Sequence, residues 1–158
     1  MGVDTSFAMA FAKAQIASGT VLPISGKAFL SVRDHDKPAL LQVARRLVES
    51  SFSLVATRGT AAYLREAHIQ VETINKVQEG SPHIVDAIRA GDIAVVMNTT
   101  EGLQSVADSF SIRRSALEYR IPYFTTIAGA RAAAEGIARL RLGLLNVRSL
   151  QEYHRDAS

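Results

Sequence analysis

Thr57-Arg58-Gly59-Thr60 joins an apolar run at Ser53–Ala56 to a helical pattern over Thr60–His68, placing two hydroxyls, a guanidinium and a glycine within four residues. Such a joint suits an anion. Free N–H groups at a helix start and the positive end of the helix dipole favour negative charge. Gly59 lets the backbone come close, and Thr57 and Thr60 add hydroxyl donors. Polar groups also follow the other apolar runs: Ser31 to Lys37, Asn75-Lys76 to Gly80, Asn98-Thr99-Thr100-Glu101-Gly102, and Thr125-Thr126. Lys37 and Lys76 can supply charge from neighbouring loops, and Asn98 can orient a base or a sugar. Together these types serve a phosphate-bearing ligand.

Each group alone has a plainer use. A Thr-x-Gly-Thr turn is commonly a helix cap, Thr99 and Thr100 are ordinary turn residues, and single lysines are usually solvated. His35 and His83 suit caps or the surface, and Tyr63 and Tyr119 suit helix packing. Convergence at one sheet edge is what favours a pocket. Thr57 and Lys37 are both expected on exposed loops, so that replacing them leaves the fold intact. Asp34, His35, Asp36, Glu79, His83 and Glu101 are the available acids and bases, and none forms a recognisable pair or triad. The set is rich in binding groups and poor in dedicated chemistry.

The elements that position these groups alternate. Residues 4–18 read as a helix with Phe7, Ala8, Phe11 and Ala14 on one face, followed by a linker rich in Gly, Ser and Pro. Strands are expected at Ala28–Val32, Ser53–Ala56, Ile69–Ile74, Ile93–Met97 and Tyr123–Thr126. Helices are expected at Asp36–Ser50, Thr60–His68, Ser81–Ala90, about 103–120 and about 129–141, with a short tail beyond. In the third of these Ser81 is expected to cap, Pro82 to occupy the first turn and Gly91 to end it. Five strands alternating with five helices imply an α/β fold: a doubly wound, mostly parallel sheet covered on both faces. Right-handed crossovers bring the strand-to-helix loops to one edge, where ligands settle in such sheets.

The 158 residues fit one domain, with 47% apolar and 21% charged residues and 18 Lys and Arg against 15 Asp and Glu. That mild positive balance suits a small anion; no basic run is interleaved with aromatics, so nucleic acid is not the expected partner. Cysteine is absent, which removes disulfides and thiolate metal sites, and no H-x-x-x-H pair offers a metal site. The longest charge-free stretch, Ala14–Gly26, is broken by Gly19 and Pro23 and falls short of the roughly 20 residues a membrane span needs. No basic segment leads into an apolar core near Met1, so no secretory signal is expected and the cytoplasm is the expected location.

S-V-R-D-H-D-K at 31–37, A-T-R-G-T-A at 56–61 and I-P-Y-F-T-T at 121–126 resemble the methylglyoxal synthase-like fold family. Within that family the chain is most similar to the regulatory domain at the C-terminal end of the large subunit of bacterial carbamoyl-phosphate synthases. M-G-V-D-x-x-F-x-x-A-F-x-K-A-Q at 1–15, N-K-V-x-E-G-x-P-H-I at 75–84, N-T-T-x-G at 98–102 and I-R-R-S-A-L at 112–117 carry the match over essentially the whole chain.

The resemblance implies a non-catalytic allosteric domain that binds nucleoside monophosphates, UMP as inhibitor and IMP as activator, with ornithine as a further activator. Its nucleotide-site motifs fall on Ser31, Lys37, Thr57, Thr60, Lys76, Asn98, Thr99 and Thr100, and its ornithine contacts on Tyr123 and Thr125. It also implies that residues 1–24 are a helix and linker leaving the preceding synthetase half, and that 25–158 form the regulatory domain. The ATP- and magnesium-dependent ligase chemistry, serving arginine and pyrimidine synthesis, and the docking of the glutaminase small subunit would belong to the rest of that enzyme. Departures occur at Arg58, often histidine in relatives, at Leu103-Gln104, where relatives can carry arginines, and at Phe124. The alternative in the same family is a lyase acting on a small phosphorylated sugar, like methylglyoxal synthase. Its two catalytic carboxylate positions fall near Ser81 and Thr99 here, and no matching histidine follows, which counts against it.

Overall fold

Phe29, Leu30, Leu54, Val55, Val95 and Val96 lie in runs too short for helices and apolar on both faces, the pattern of strands buried in a parallel sheet. The computed structural model, which describes residues 1–100, 103–143 and 145–156, contains that sheet. Strands β1 (Gly26–Ser31), β2 (Phe52–Ala56), β3 (Glu72–Thr73), β4 (Val95–Asn98) and β5 (Tyr123–Phe124) are all parallel, in the order β3-β2-β1-β4-β5. Helices α1 (Phe7–Ala17), α2 (Lys37–Glu49), α3 (Arg58–Glu66), α4 (Ile84–Arg89), α5 (Leu103–Glu118), α6 (Ile127–Arg141) and α7 (Leu150–Asp156) surround it. The chain steps outward from β1 to β3, then returns to the far side of β1 for β4. That reversal between β1 and β4 is where such sheets open a crevice.

Alternate strand residues feed two cores. Ala28, Leu30, Leu54, Ala56, Val95 and Met97 pack with residues of α1, α2, α3 and α6. Phe29, Val55 and Val96 pack with Ile84, Val85 and Ile88 of α4 and Ile112 and Ala116 of α5. Ile84, Ile88, Phe29 and Val96 are fully buried, and each contributes about 1.5–3 kcal/mol of transfer free energy. No helix among the described residues is long and apolar enough to cross a membrane.

Several expectations are corrected. In α1 the buried residues are Met9 and Ala12, while Phe7 is 76% exposed. Small residues let α1 lie close on α6, and a Cβ at Gly136 would sit 3.4 Å from the Ala12 Cβ. The strand expected over Ile69–Ile74 pairs only at Glu72–Thr73, a short edge that leaves little open backbone. α4 starts at Ile84, because His83 rather than Ser81 caps it: the His83 Nδ1 accepts from the Asp86 N–H while Asp86 accepts from the His83 N–H. Pro82 precedes the helix in a cis peptide. Gly91, at φ +80°, ends it as expected. α6 begins two residues early because Thr126 caps it through the Gly129 N–H. The tail holds a further helix, α7, which the periodicity did not indicate.

Candidate functional site

Sheet register builds the site. Ser31 and Asn98 are partners across β1 and β4. Leu30 pairs with Ala56, and Thr57 continues the ladder by donating its N–H to the Leu30 carbonyl at 3.3 Å. Side chains alternate along a strand, so Thr57, Ser31 and Asn98 share the face of Val55, Phe29 and Val96, the face beneath α4 and α5. A polar row therefore begins where an apolar row ends.

A cavity of about 380 Å³ opens over that row. Its other walls are Val32, Arg33 and Asp34 after β1, Lys76 and Val77 after β3, Thr99 and Thr100 after β4, Ile84 of α4, and Ser109 and Ile112 of α5. Ser31, Thr57, Lys76, Asn98, Thr99 and Thr100 are thus brought together. Thr60 and Lys37 lie outside the cavity walls; Thr60 is joined to them through Thr57 and Val32, and Lys37 through Asp34. The Thr57 hydroxyl is 3.3 Å from the Ser31 Oγ and 3.5 Å from the Thr60 Oγ1, which accepts the Val32 N–H at 3.2 Å. One hydroxyl proton cannot serve both neighbours, so Thr57 and its partners keep unused hydrogen-bonding capacity. No side chain caps α3, since the Thr57 hydroxyl turns to these neighbours instead.

Thr57 is 4% exposed and Lys37 is half-buried, which overturns the expectation of two exposed loops. Thr57 sits where the polar row meets the core, and Lys37 is the first residue of α2. The Lys37 ammonium pairs with Asp34 at 2.7 Å and lies 5.9 Å from the centre of the Tyr63 ring. It is also 3.8 Å from where a Cβ would stand on Gly59, so the cation faces the first turn of α3.

Charges around the cavity hold one another in place. Arg33 Nε donates to the buried Asp36 at 2.8 Å, and the Arg33 N–H donates to Thr99 Oγ1 at 3.1 Å. Burial works against ionising Asp36, but hydrogen bonds from Arg33 and Thr99 outweigh it and keep the carboxyl below its ordinary pKa. The hydrogen bond from Lys37 does the same for Asp34. Glu79 accepts the Lys76 N–H at 2.8 Å, and Asp86 accepts from Ser81 and His83. Asp34, Asp36, Glu79 and His83 are therefore all engaged in local contacts; His35 is exposed, and Glu101 and Gly102 lie outside the described residues. Among the described residues, no three His, Cys, Asp or Glu side chains are grouped to hold a metal ion.

Tyr123 and Thr125 line a different, open groove of about 610 Å³, shared with Gln15, Thr20, Arg113 and Arg120. Asn98 reaches it: its Nδ2 donates to the Tyr123 hydroxyl at 2.7 Å. A third and larger groove, about 760 Å³ between α1, α2 and α6, is lined by Phe7, Phe11 and Ala132 among others and gathers none of the strand-end groups. Sequence reasoning missed Arg33, Val77, Ile84, Ser109 and Ile112 as walls of the cavity. Arg33, Val77, Ile84 and Ile112 all lie in motifs that carry the family resemblance, which was the available signal.

Residues 39–125 match the model of the MGS-like domain family. The chain is 53% identical over 156 residues to the carbamoyl phosphate synthase large chain of Xanthomonas axonopodis pv. citri, covering 99% of this chain and 14% of that protein. It is 51% identical over 153 residues to the corresponding large chain of Mesorhizobium japonicum, covering 97% of this chain and 13% of that one. A protein of Methanopyrus kandleri described as the C-terminal section of that large chain is 47% identical, over 98% of this chain and 29% of its own length. The chain thus spans about one-seventh of the full-length relatives it matches. It belongs to the MGS-like domain family, among members found in carbamoyl phosphate synthase large chains.

Proposed function

We propose that this chain is the allosteric domain of a carbamoyl phosphate synthase large chain and that its cavity binds a nucleoside monophosphate. The observation that carries this reading is the row Thr57–Ser31–Asn98 facing an apolar wall of Val77, Ile84 and Ile112. A flat base can lie against that wall with Asn98 at its polar edge. The monoester then falls toward Thr57, the uncapped first turn of α3 and the ammonium groups of Lys37 and Lys76. A volume of about 380 Å³ is at the small end of ligand cavities, which suits a mononucleotide better than a dinucleotide. Binding groups converge here, and Asp34, Asp36, Glu79 and His83 are engaged in local contacts, which supports coupling rather than catalysis. A nucleotide that prefers one of two states of the large chain shifts their balance, typically by about 1–3 kcal/mol.

In this reading Tyr123 and Thr125 give one side of an ornithine site completed by the rest of the large chain, and residues 1–24 lead in from that part. ATP, magnesium and the glutaminase small subunit belong to regions beyond these residues, in a cytoplasmic enzyme of arginine and pyrimidine synthesis. Calorimetry with UMP and IMP tests the nucleotide site. Saturable heat is expected, with affinity about tenfold weaker in Lys76→Ala through loss of a charged contact. No heat with either nucleotide, or steady release of phosphate from dihydroxyacetone phosphate, would overturn the proposal.

A further inference from the structure

Tyr123 pairs with Val96 across β4 and β5, and Asn98 is two residues beyond Val96. The two side chains are therefore diagonal neighbours on one sheet face, a separation that a tyrosine can bridge. It does so with a 2.7 Å hydrogen bond from Asn98 Nδ2. The tyrosine ring has its own support: the guanidinium carbon of Arg113 on α5 lies 5.6 Å from the ring centroid, within cation–π range of about 6 Å. Arg113 and Tyr123 line the groove and Asn98 lines the cavity.

We infer that Arg113 is a positioning residue for the cavity, acting through the Tyr123 ring on the Asn98 amide. The part concerning ligand affinity rests on the nucleotide reading above; the part concerning Asn98 does not. The relay sets the Asn98 amide, because an amide whose Nδ2 is committed to Tyr123 presents its oxygen to the cavity in one orientation. It also gives Arg113, in the I-R-R-S-A-L segment, a purpose that helix packing does not supply, since its side chain is exposed while Ile112 and Ala116 are buried.

The test uses the isotope-labelled chain and reads the Asn98 side-chain amide by NMR, with UMP calorimetry on the same variants. In Tyr123→Phe the amide signal is expected to shift and its protons to exchange faster with water. Arg113→Ala should move it part of the way in the same direction, and Arg113→Lys, which keeps a cation, should move it back. UMP affinity should fall by about three- to tenfold in Tyr123→Phe and Arg113→Ala and recover in Arg113→Lys, the range expected for one neutral hydrogen bond. If UMP gives no heat with any variant while the amide shifts follow this order, the nucleotide reading fails and the positioning role stands. An Asn98 signal unmoved by Arg113→Ala, a shift that Arg113→Lys does not reverse, or equal UMP affinity in all variants would overturn the inference.

Discussion

Thr57 and Ser31 face each other across the central strand pair with their hydroxyls 3.3 Å apart, at the point where two apolar rows turn polar. The contact is half scaffold and half site. Thr57 is buried, yet it also lines the cavity.

Replacing Thr57 with Val therefore acts on both. Losing the hydroxyl beside Ser31 and Thr60 is expected to cost about 1 kcal/mol of stability, a fall of roughly 2–4 °C in Tm for a chain of this size. UMP affinity should drop about tenfold at temperatures where the variant remains folded. Thr57→Ser, which keeps the oxygen, should recover most of the affinity. Equal affinity in Thr57→Val and the parent chain would remove this hydroxyl from the site.

The Asp36 carboxylate makes stability depend on pH. Its folded pKa lies below the unfolded value: hydrogen bonds from Arg33 and Thr99 overcome the opposing effect of burial. Its contribution is therefore present above the unfolded value of about 3.9 and drains away as pH falls through the folded one. Asp36→Asn should lower stability by about 1–2 kcal/mol at pH 7. In urea melts the gap between Asp36→Asn and the parent should narrow steadily as pH is lowered toward 3. A gap that stays constant with pH would show that the loss has another origin than charge.

The strands and most helices were legible because period and punctuation are local: Leu40, Ala44 and Leu47 mark α2, and Gly91 marks the end of α4. Six of the eight expected nucleotide-site residues line one cavity, since strand ends of a parallel sheet share an edge. What stayed hidden depends on contacts distant in sequence. Strands apolar on both faces carry no alternation, so only register reveals that Thr57, Ser31 and Asn98 form a row. The burial of Thr57, the exposure of Phe7 and the walls Ile84 and Ile112 follow from which helix covers which face. Residues 150–156 show no strong apolar period, and α7 is tied to α1 through a tyrosine hydroxyl.

Gly136 is where α6 admits α1. A Cβ there would be 3.4 Å from both the Ala12 Cβ and the Ala8 carbonyl oxygen, so a methyl just fits and a larger side chain does not. Gly136→Leu should displace α1 and cost about 1–3 kcal/mol, as overpacking does. Gly136→Ala should cost less, because better helix propensity of roughly 1 kcal/mol offsets the tight contact. Thermal melts of the two variants separate these effects; equal stabilities would mean that α1 is not held at this contact.

The C-terminal helix is held to α1 by polar contacts with few alternatives. The Lys13 ammonium meets Asp4 at 2.8 Å and donates to the Tyr153 hydroxyl at 2.9 Å, while that hydroxyl donates to Asp4 at 3.3 Å. Lys13 and Asp4 are both largely shielded from solvent, so neither easily replaces the tyrosine with water. Seven residues are too few for a helix to persist alone. Tyr153→Phe keeps the ring under Arg148 but removes both hydroxyl contacts. Hydrogen exchange across Leu150–Asp156 should then speed up about tenfold, for a lost hydrogen bond of roughly 1.4 kcal/mol, with exchange in β1 and α2 unchanged. Protection of α7 that survives the substitution would place its anchor in apolar contacts of α7 instead of this hydroxyl.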